Sequence, residues 1–173
     1  QAFGADPEAA LASLPGCTVA IEAEPPLDAV LHDLARRLGC VGLTLPPEAR
    51  VRYHASGGYA SQHVHALLAE AVRLWRSWGA TEQQALDALL PLLRGTLESL
   101  ARSGVAAGMP GPVSRGDAGT VRLHRQALQA VDPDMRDLYD RLCRRGLALA
   151  RQAGRLDAAG AEGVERVLDA SPD

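Results

Sequence analysis

The chain contains no lysine, and all 18 of its basic residues are arginine. Within these residues that excludes a Schiff-base mechanism or a lysine general acid. The guanidinium fork remains available for carboxylates and phosphates. Cysteine is scarce as well. Cys17, Cys40 and Cys143 are too few and too scattered for a disulfide framework or a zinc site, so reduced, buried thiols are expected. No window approaches the roughly 20 apolar residues of a membrane span, and no signal-peptide pattern opens the chain. A net charge of -3 gives no reason to expect nucleic acid or an acidic membrane as a partner. A cytoplasmic location is the expectation. An initiating methionine is lacking too, so the chain, opening at Gln1, reads as a processed or excised piece of something longer. Internal repeats and low-complexity segments are absent.

What remains is enough for a real core: 173 residues, 47% of them hydrophobic, suggesting one domain or slightly more. Asp6-Pro7 predicts a short helix over 7–13 that ends at Pro15-Gly16. The β-branched run 17–23 reads as a strand. After Pro25-Pro26, Leu27, Val30, Leu31, Leu34 and Leu38 follow the helical period, with Gly39 as the stop. Residues 40–45 read as a second strand, closed by Pro46-Pro47. Strand, helix and strand in so short a span make a βαβ unit with parallel strands. Two parallel strands do not form a stable sheet alone, so neighbours are expected from elsewhere.

Beyond Pro47 only helices are predicted. The longest continuous pattern runs from Tyr53 to Trp78 and holds three of the five histidines. At about 100° per residue, Val64, Leu67, Leu68, Ala71, Leu74, Trp75 and Trp78 gather on one apolar face. His54, Gly58, Ser61 and His65 line its edge, with Gly57 beside Gly58 and Gln62 beside Ser61. The expectation is one half-buried helix whose first turns carry polar groups around bare backbone. Two glycines there cost roughly 0.5–1 kcal/mol each against alanine, which a helix accepts where a flat ligand or another helix must come close.

Thr81 with Gln84 predicts a capping box before a leucine-rich helix that Pro91 kinks or restarts and that runs to Gly104. A loop dense in glycine and proline, 108–117, leads to Asp117 as the cap of a helix over roughly 118–130. Asp132 caps the next, whose apolar side is Met135, Leu138, Tyr139, Leu142 and Leu149, and Asp157 caps a last short helix before Ser171-Pro172-Asp173.

Several segments then occur in an order and spacing that resemble a known family. They are Tyr53-His54-Ala55 with Ser61-Gln62, Pro91-Leu-Leu-Arg-Gly-Thr-Leu-Glu98, and Gly111-Pro-Val-Ser-Arg-Gly-Asp117 with Thr120-Val121 and His124. They are similar to an uncharacterised bacterial family of Rossmann-like NAD(P)-dependent oxidoreductases, related to pyrroline-carboxylate reductase and the 6-phosphogluconate dehydrogenase superfamily. Gln1-Ala2-Phe3 resembles the end of that family's His-Pro-x-Gln-x-Phe segment. The resemblance implies a mostly α chain. Residues 1–49 would be the C-terminal remnant of a Rossmann domain, and 50–173 an all-helical substrate and dimerisation domain like the C-terminal domain of 6-phosphogluconate dehydrogenase. The Gly-x-Gly-x-x-Gly phosphate loop that such a protein needs is not in this sequence. NADP or NAD would therefore be held mainly by a part upstream of Gln1. Gln62 stands where members usually have asparagine, and the lysine used by the related hydroxyacid dehydrogenases is missing.

On that resemblance His54 is the candidate catalytic residue, relaying a proton to a carbonyl or imine. Ser61, Gln62, Arg115 and Asp117 would bind the substrate, and Gly57 and Gly58 would lie against the cofactor. Each has a plainer reading: His54 as a helix cap or a partner of a backbone carbonyl, Arg115 paired with an aspartate in its loop, the glycines as a helix-packing patch. His63 and His65 diverge by about 160° on a helix, which argues against a metal. Trp75 and Trp78 read as core or dimer interface, and Glu22 and Glu24 as solvated charges. Two functions follow from these readings. One is the substrate and dimerisation half of a reductase acting on a small keto or imino acid, working as a homodimer. The other is a non-catalytic helical association module.

Overall fold

A computed structural model describes residues 5–171, so Gln1-Ala2-Phe3 and Pro172-Asp173 lie outside the described residues. The chain is mostly helical with two parallel strands, and it divides into two compact units, one ending at Leu67 and the other starting at Leu68.

In the first unit, Asp6 caps α1 (Pro7–Ala12) by accepting from the Glu8 amide at 3.0 Å. Strand β1 (Thr18–Ile21), helix α2 (Leu27–Arg37) and strand β2 (Val41–Thr44) form the expected βαβ unit, paired in parallel from Thr18↔Val41 to Ile21↔Thr44. Gly39 adopts φ +73°, the left-handed turn that ends α2. Ile21, Ala35 and Cys40 form the core here, with Leu14, Cys17, Ala23 and Leu31 packed on it. The apolar stripe of α2 is only partly used. Leu31 packs on that core, whereas Leu27, Val30, Leu34 and Leu38 are exposed, as are Val19, Val41 and Leu43 on the strands. Glu22 is exposed, as expected of a solvated charge, and also accepts from Arg50 Nε at 2.7 Å.

The helix expected from Tyr53 to Trp78 is two helices. α3 (Arg50–Ala60) stops at Ser61, whose φ −130° and ψ −81° lie outside the helical range, and α4 (Gln62–Ser77) starts immediately after it. Two adjacent glycines leave the last turns of α3 without side-chain support, and Ser61 is a residue type that favours helix starts. The half-buried expectation fails for α3, where only Gly58 escapes full exposure. On α4 the predicted apolar face is only partly covered, with Leu67 43% and Trp78 63% exposed, while Val72 is the buried residue.

In the second unit, Gly79 (φ +93°) ends α4 and Thr81 opens α5 (Glu82–Ala107) with a complete capping box. The Thr81 hydroxyl accepts from the Gln84 amide at 3.2 Å, and the Gln84 carboxamide accepts from the Thr81 amide at 2.8 Å. Pro91 neither ends nor restarts α5. The one departure from helical dihedrals is at Gly104 (φ 75°, ψ 178°). The remaining helices are α6 (Ala118–Val131), α7 (Pro133–Gln152) and α8 (Ala158–Asp169), capped by Asp117, Asp132 and Asp157 as the sequence predicts. Val113, Val121, Cys143, Leu147, Ala161, Val164 and Leu168 make the main core. The buried row of α7 is Met135, Asp140, Cys143, Leu147 and Ala150, so the expected apolar side is rotated, leaving Leu138 and Leu142 exposed.

A buried ion pair holds α6, α7 and α8 together. Arg125 Nε donates to both oxygens of Asp140, at 2.9 and 3.1 Å, while Nη1 donates to the Val167 carbonyl and Nη2 to that of Ala170 at 3.0 Å. Arg144 Nη2 adds a bond to the Leu168 carbonyl at 2.8 Å. The last carbonyls of α8, which a helix leaves without partners, are thus met by cationic side chains that also suit its dipole. Asp140→Ala leaves the Arg125 charge buried without its counterion. The expected cost is about 3–5 kcal/mol of unfolding free energy, read by urea denaturation, against less than about 0.5 kcal/mol for an exposed substitution.

Candidate functional site

His54 sits on α3 with Gly57 and Gly58 three and four residues on, hence on the same face. Its ring is exposed and, among the described residues, has no hydrogen-bond partner, so it is not acting as a cap or bonding a backbone carbonyl. A Cβ placed on Gly57 would meet nothing within 4 Å, and one on Gly58 would meet only the Gln62 side chain, at 3.7 Å. Gly57 is bare backbone facing open space, whereas Gly58 is half-buried beside the Gln62 side chain.

The break at Ser61 adds a feature that periodicity did not reveal. The Ser61 carbonyl accepts from Val64 N at 3.0 Å and His65 N at 3.4 Å, so α4 starts anew there. A helix start presents unpaired amides and the positive end of a dipole, here at Gln62, one turn from the glycines. His63 stacks edge-on against Tyr59, ring centroids 5.0 Å apart, which ties the two helices across the break. Among the described residues no group of three or more His, Cys, Asp or Glu side chains is arranged to hold a metal ion.

Arg115 and Asp117 belong to the second unit. Their loop is tightly specified. Pro112 O accepts from Asp117 N at 2.9 Å, Ser114 Oγ donates to Gly111 O at 2.9 Å, and Val113–Arg115 forms a single 3-10 turn. Gly116 takes φ +69°, and an added Cβ there would lie 2.9 Å from Gly160 Cα and 2.8 Å from Leu156 Cδ1. The second glycine of Gly-Pro-x-x-Arg-Gly-Asp is therefore required by a left-handed turn and by close approach to α8. Asp117 has both oxygens engaged by Thr120, its amide at 2.9 Å and its hydroxyl at 2.6 Å. These bonds hold its carboxyl below the usual range, with a smaller contribution from Arg115. Arg115 itself is exposed and, among the described residues, pairs with no carboxylate. The plainer reading of it as half of a loop ion pair is not what the structure contains.

His124, also part of the motif set, bonds Tyr139 Oη through Nδ1 at 3.0 Å, with the rings edge-on. Burial pushes the Tyr139 phenol and the Cys143 thiol above their ordinary values. Sequence reasoning passed over a further concavity of about 640 Å³ flanked by α6, α8 and the start of α7. Ala118, Arg122, Gln129, Arg136, Gly163 and Ala170 are among its walls. The signal was present: Arg122, Arg125, Gln126 and Gln129 recur at i, i+3, i+4 and i+7 along α6.

Gly116→Ala should cost more than about 1 kcal/mol, because it combines a left-handed φ with a backbone clash; thermal denaturation reads the loss. Asp117→Ala should lower the melting temperature at neutral pH. Because the folded carboxyl is depressed, its stabilisation is complete above the unfolded value near ~3.9 and is lost as pH falls through the folded one. The melting-temperature gap between the two proteins should therefore close in acid.

No curated protein and no solved structure matches the chain. A family model does match, over residues 17–146, and on that match the chain belongs to the family described as Domain of unknown function (DUF2520).

Proposed function

We propose that this chain is the substrate-binding and dimerisation part of an NAD(P)-dependent oxidoreductase that reduces a small keto or imino acid. The observation that carries the reading is the uncovered backbone at Gly57 beside an exposed His54 that, among the described residues, makes no hydrogen bond. In this reading residues 1–49 are the end of a Rossmann domain, and the exposed Val19, Val41 and Leu43 are strand positions that the remainder of such a sheet would cover. Residues 50–173 form a helical domain of the 6-phosphogluconate-dehydrogenase C-terminal kind.

The residues present fit one part of the cofactor. Bare backbone at Gly57 and Gly58 suits a flat ring lying against it, whereas no glycine-rich loop in the sequence suits a pyrophosphate. A bound nicotinamide would supply a hydride. His54 donates a proton to the carbonyl oxygen or imine nitrogen of the substrate and, being exposed, reloads from solvent. Ser61 and Gln62 orient that group at the start of α4; in the second unit Arg115 offers a guanidinium of the kind that takes a carboxylate, with Asp117 holding its loop in place.

Homodimerisation through the helical domain has its own support. Leu90, Leu92, Leu97, Leu100 and Val105 of α5 are exposed while Ala85 is its only buried residue. A helix with leucines around much of its circumference is normally covered. The same observation favours the second reading, a non-catalytic association module.

NADPH oxidation by the intact protein in the presence of keto or imino acids separates the two. Under the reductase reading, His54→Ala should lower kcat about 10²–10⁴-fold with NADPH affinity unchanged. Normal turnover in that variant would remove His54 from the chemistry. A dimer that binds no NADPH would favour the association module.

A further inference from the structure

The concavity flanked by α6, α8 and the start of α7 shares no residue with the reductase reading, since neither Arg115 nor Asp117 lines it. Four arginines do, Arg122, Arg125, Arg136 and Arg166, and, among the described residues, no carboxylate. Around them the walls are small and apolar, with Ala118, Gly163 and Ala170 leaving room for a ligand body.

The charges beneath this groove do not balance. Arg125 and Arg136 are both largely buried, with side chains 10% and 13% exposed, and Asp140, at 8%, is the one carboxylate among the described residues buried with them. Arg125 takes both Asp140 oxygens as hydrogen-bond acceptors. Arg136 Nε stays 3.9 Å from Asp140, beyond hydrogen-bond reach. Its Nη2 meets Asp137 at 2.5 Å, but that carboxylate is 55% exposed and so well screened. Among the described residues, Arg136 Nε and Nη1 are buried with no hydrogen-bond partner, and so is the Gln129 Oε1. Unsatisfied buried polar atoms are rare, and each costs roughly 1–3 kcal/mol. A guanidinium kept in that state calls for an anion.

We propose that this groove binds a small amphipathic anion: an oxyanion head placed between Arg136 and Arg122, with an apolar body lying along the alanine and glycine wall. Arg125 is excluded as a ligand arm because all three of its nitrogens already hold Asp140, Val167 and Ala170. Arg122 is exposed on α6 and, among the described residues, makes no ion pair, so it is free to turn onto the head group. The size of the groove lies within the range of ordinary small-molecule pockets, about 300–1,000 Å³. The small apolar residues Ala118, Ala130, Gly163, Val167 and Ala170 beside the arginines favour a fatty carboxylate over a bare inorganic anion.

Isothermal titration of the whole chain with octanoate, octanol and inorganic phosphate tests the assignment. Octanoate should bind about one per chain, with octanol and phosphate each at least about tenfold weaker. Arg136→Gln and Arg122→Gln should each weaken octanoate about fivefold or more, and amide shifts on octanoate addition should centre on Gly163 and Ala170. Arg122 is a surface residue, so its variant keeps the test valid if Arg136→Gln fails to fold. Octanol binding as tightly as octanoate would overturn the proposal, as would phosphate doing so, wild-type affinity in the Arg122 variant, or no binding by any of the three.

Discussion

The second unit depends on a cation it cannot hydrate. Arg125 sits 8% exposed within the α6–α7–α8 packing and directs every nitrogen at a partner, two of them backbone carbonyls at the end of α8. Burying an ion costs several kcal/mol, and only near-complete hydrogen bonding offsets that. The geometry of the three helices is therefore constrained at one point: α7 must present Asp140, and α8 must end where Val167 and Ala170 can be reached. Arg144 at Leu168 reinforces the same terminus. The apolar core around Val121, Cys143 and Val164 fills in behind that constraint.

Much of the architecture was legible in the sequence because local signals dominate there. The four aspartate caps, the Thr81–Gln84 box and the glycine stop at Gly39 each rest on side-chain chemistry within a few residues of its target. The parallel βαβ unit follows from the same kind of local evidence. Periodicity did less well. It predicted one helix from Tyr53 to Trp78, although a hydrophobic wheel carries no information about a break, and two glycines before a serine favour one. It also assigned Leu138 and Leu142 to the inner face of α7. The inner face is set instead by Asp140 and its partner fifteen residues away, a pairing that no wheel of apolar residues contains.

The candidate site divides in the same way. Arg115 and Asp117 were found by motif, and the structure gives that motif a local cause: Gly116 in a left-handed turn, Asp117 bonded to Thr120. The groove of Arg122 and Arg136 was missed because the polar row of α6 reads as a solvated helix face, and Arg136 and Arg166 join it from other helices. What distinguishes it is the burial of Arg125 and Arg136 against one carboxylate among the described residues, Asp140, and burial is a tertiary property.

Two glycine pairs show how far residue type alone carries an argument. Gly116 and Gly160 are closed on each other: an added Cβ at Gly116 would strike Gly160 at 2.9 Å, and one at Gly160 would meet Gly116 Cα at 3.3 Å. Their absent side chains are explained by the contact between them, so that pair needs no ligand. Gly57 and Gly58 have the same chemistry without that explanation. Gly57 faces nothing within 4 Å, its φ is not one that requires glycine, and α3 loses helical stability by having the pair there. Nothing among the described residues compensates for that loss at Gly57. On the proposed reading, a bare helix face with an unengaged imidazole at its edge suits a small, flat, polar molecule better than a tightly packed partner helix, which would cover His54.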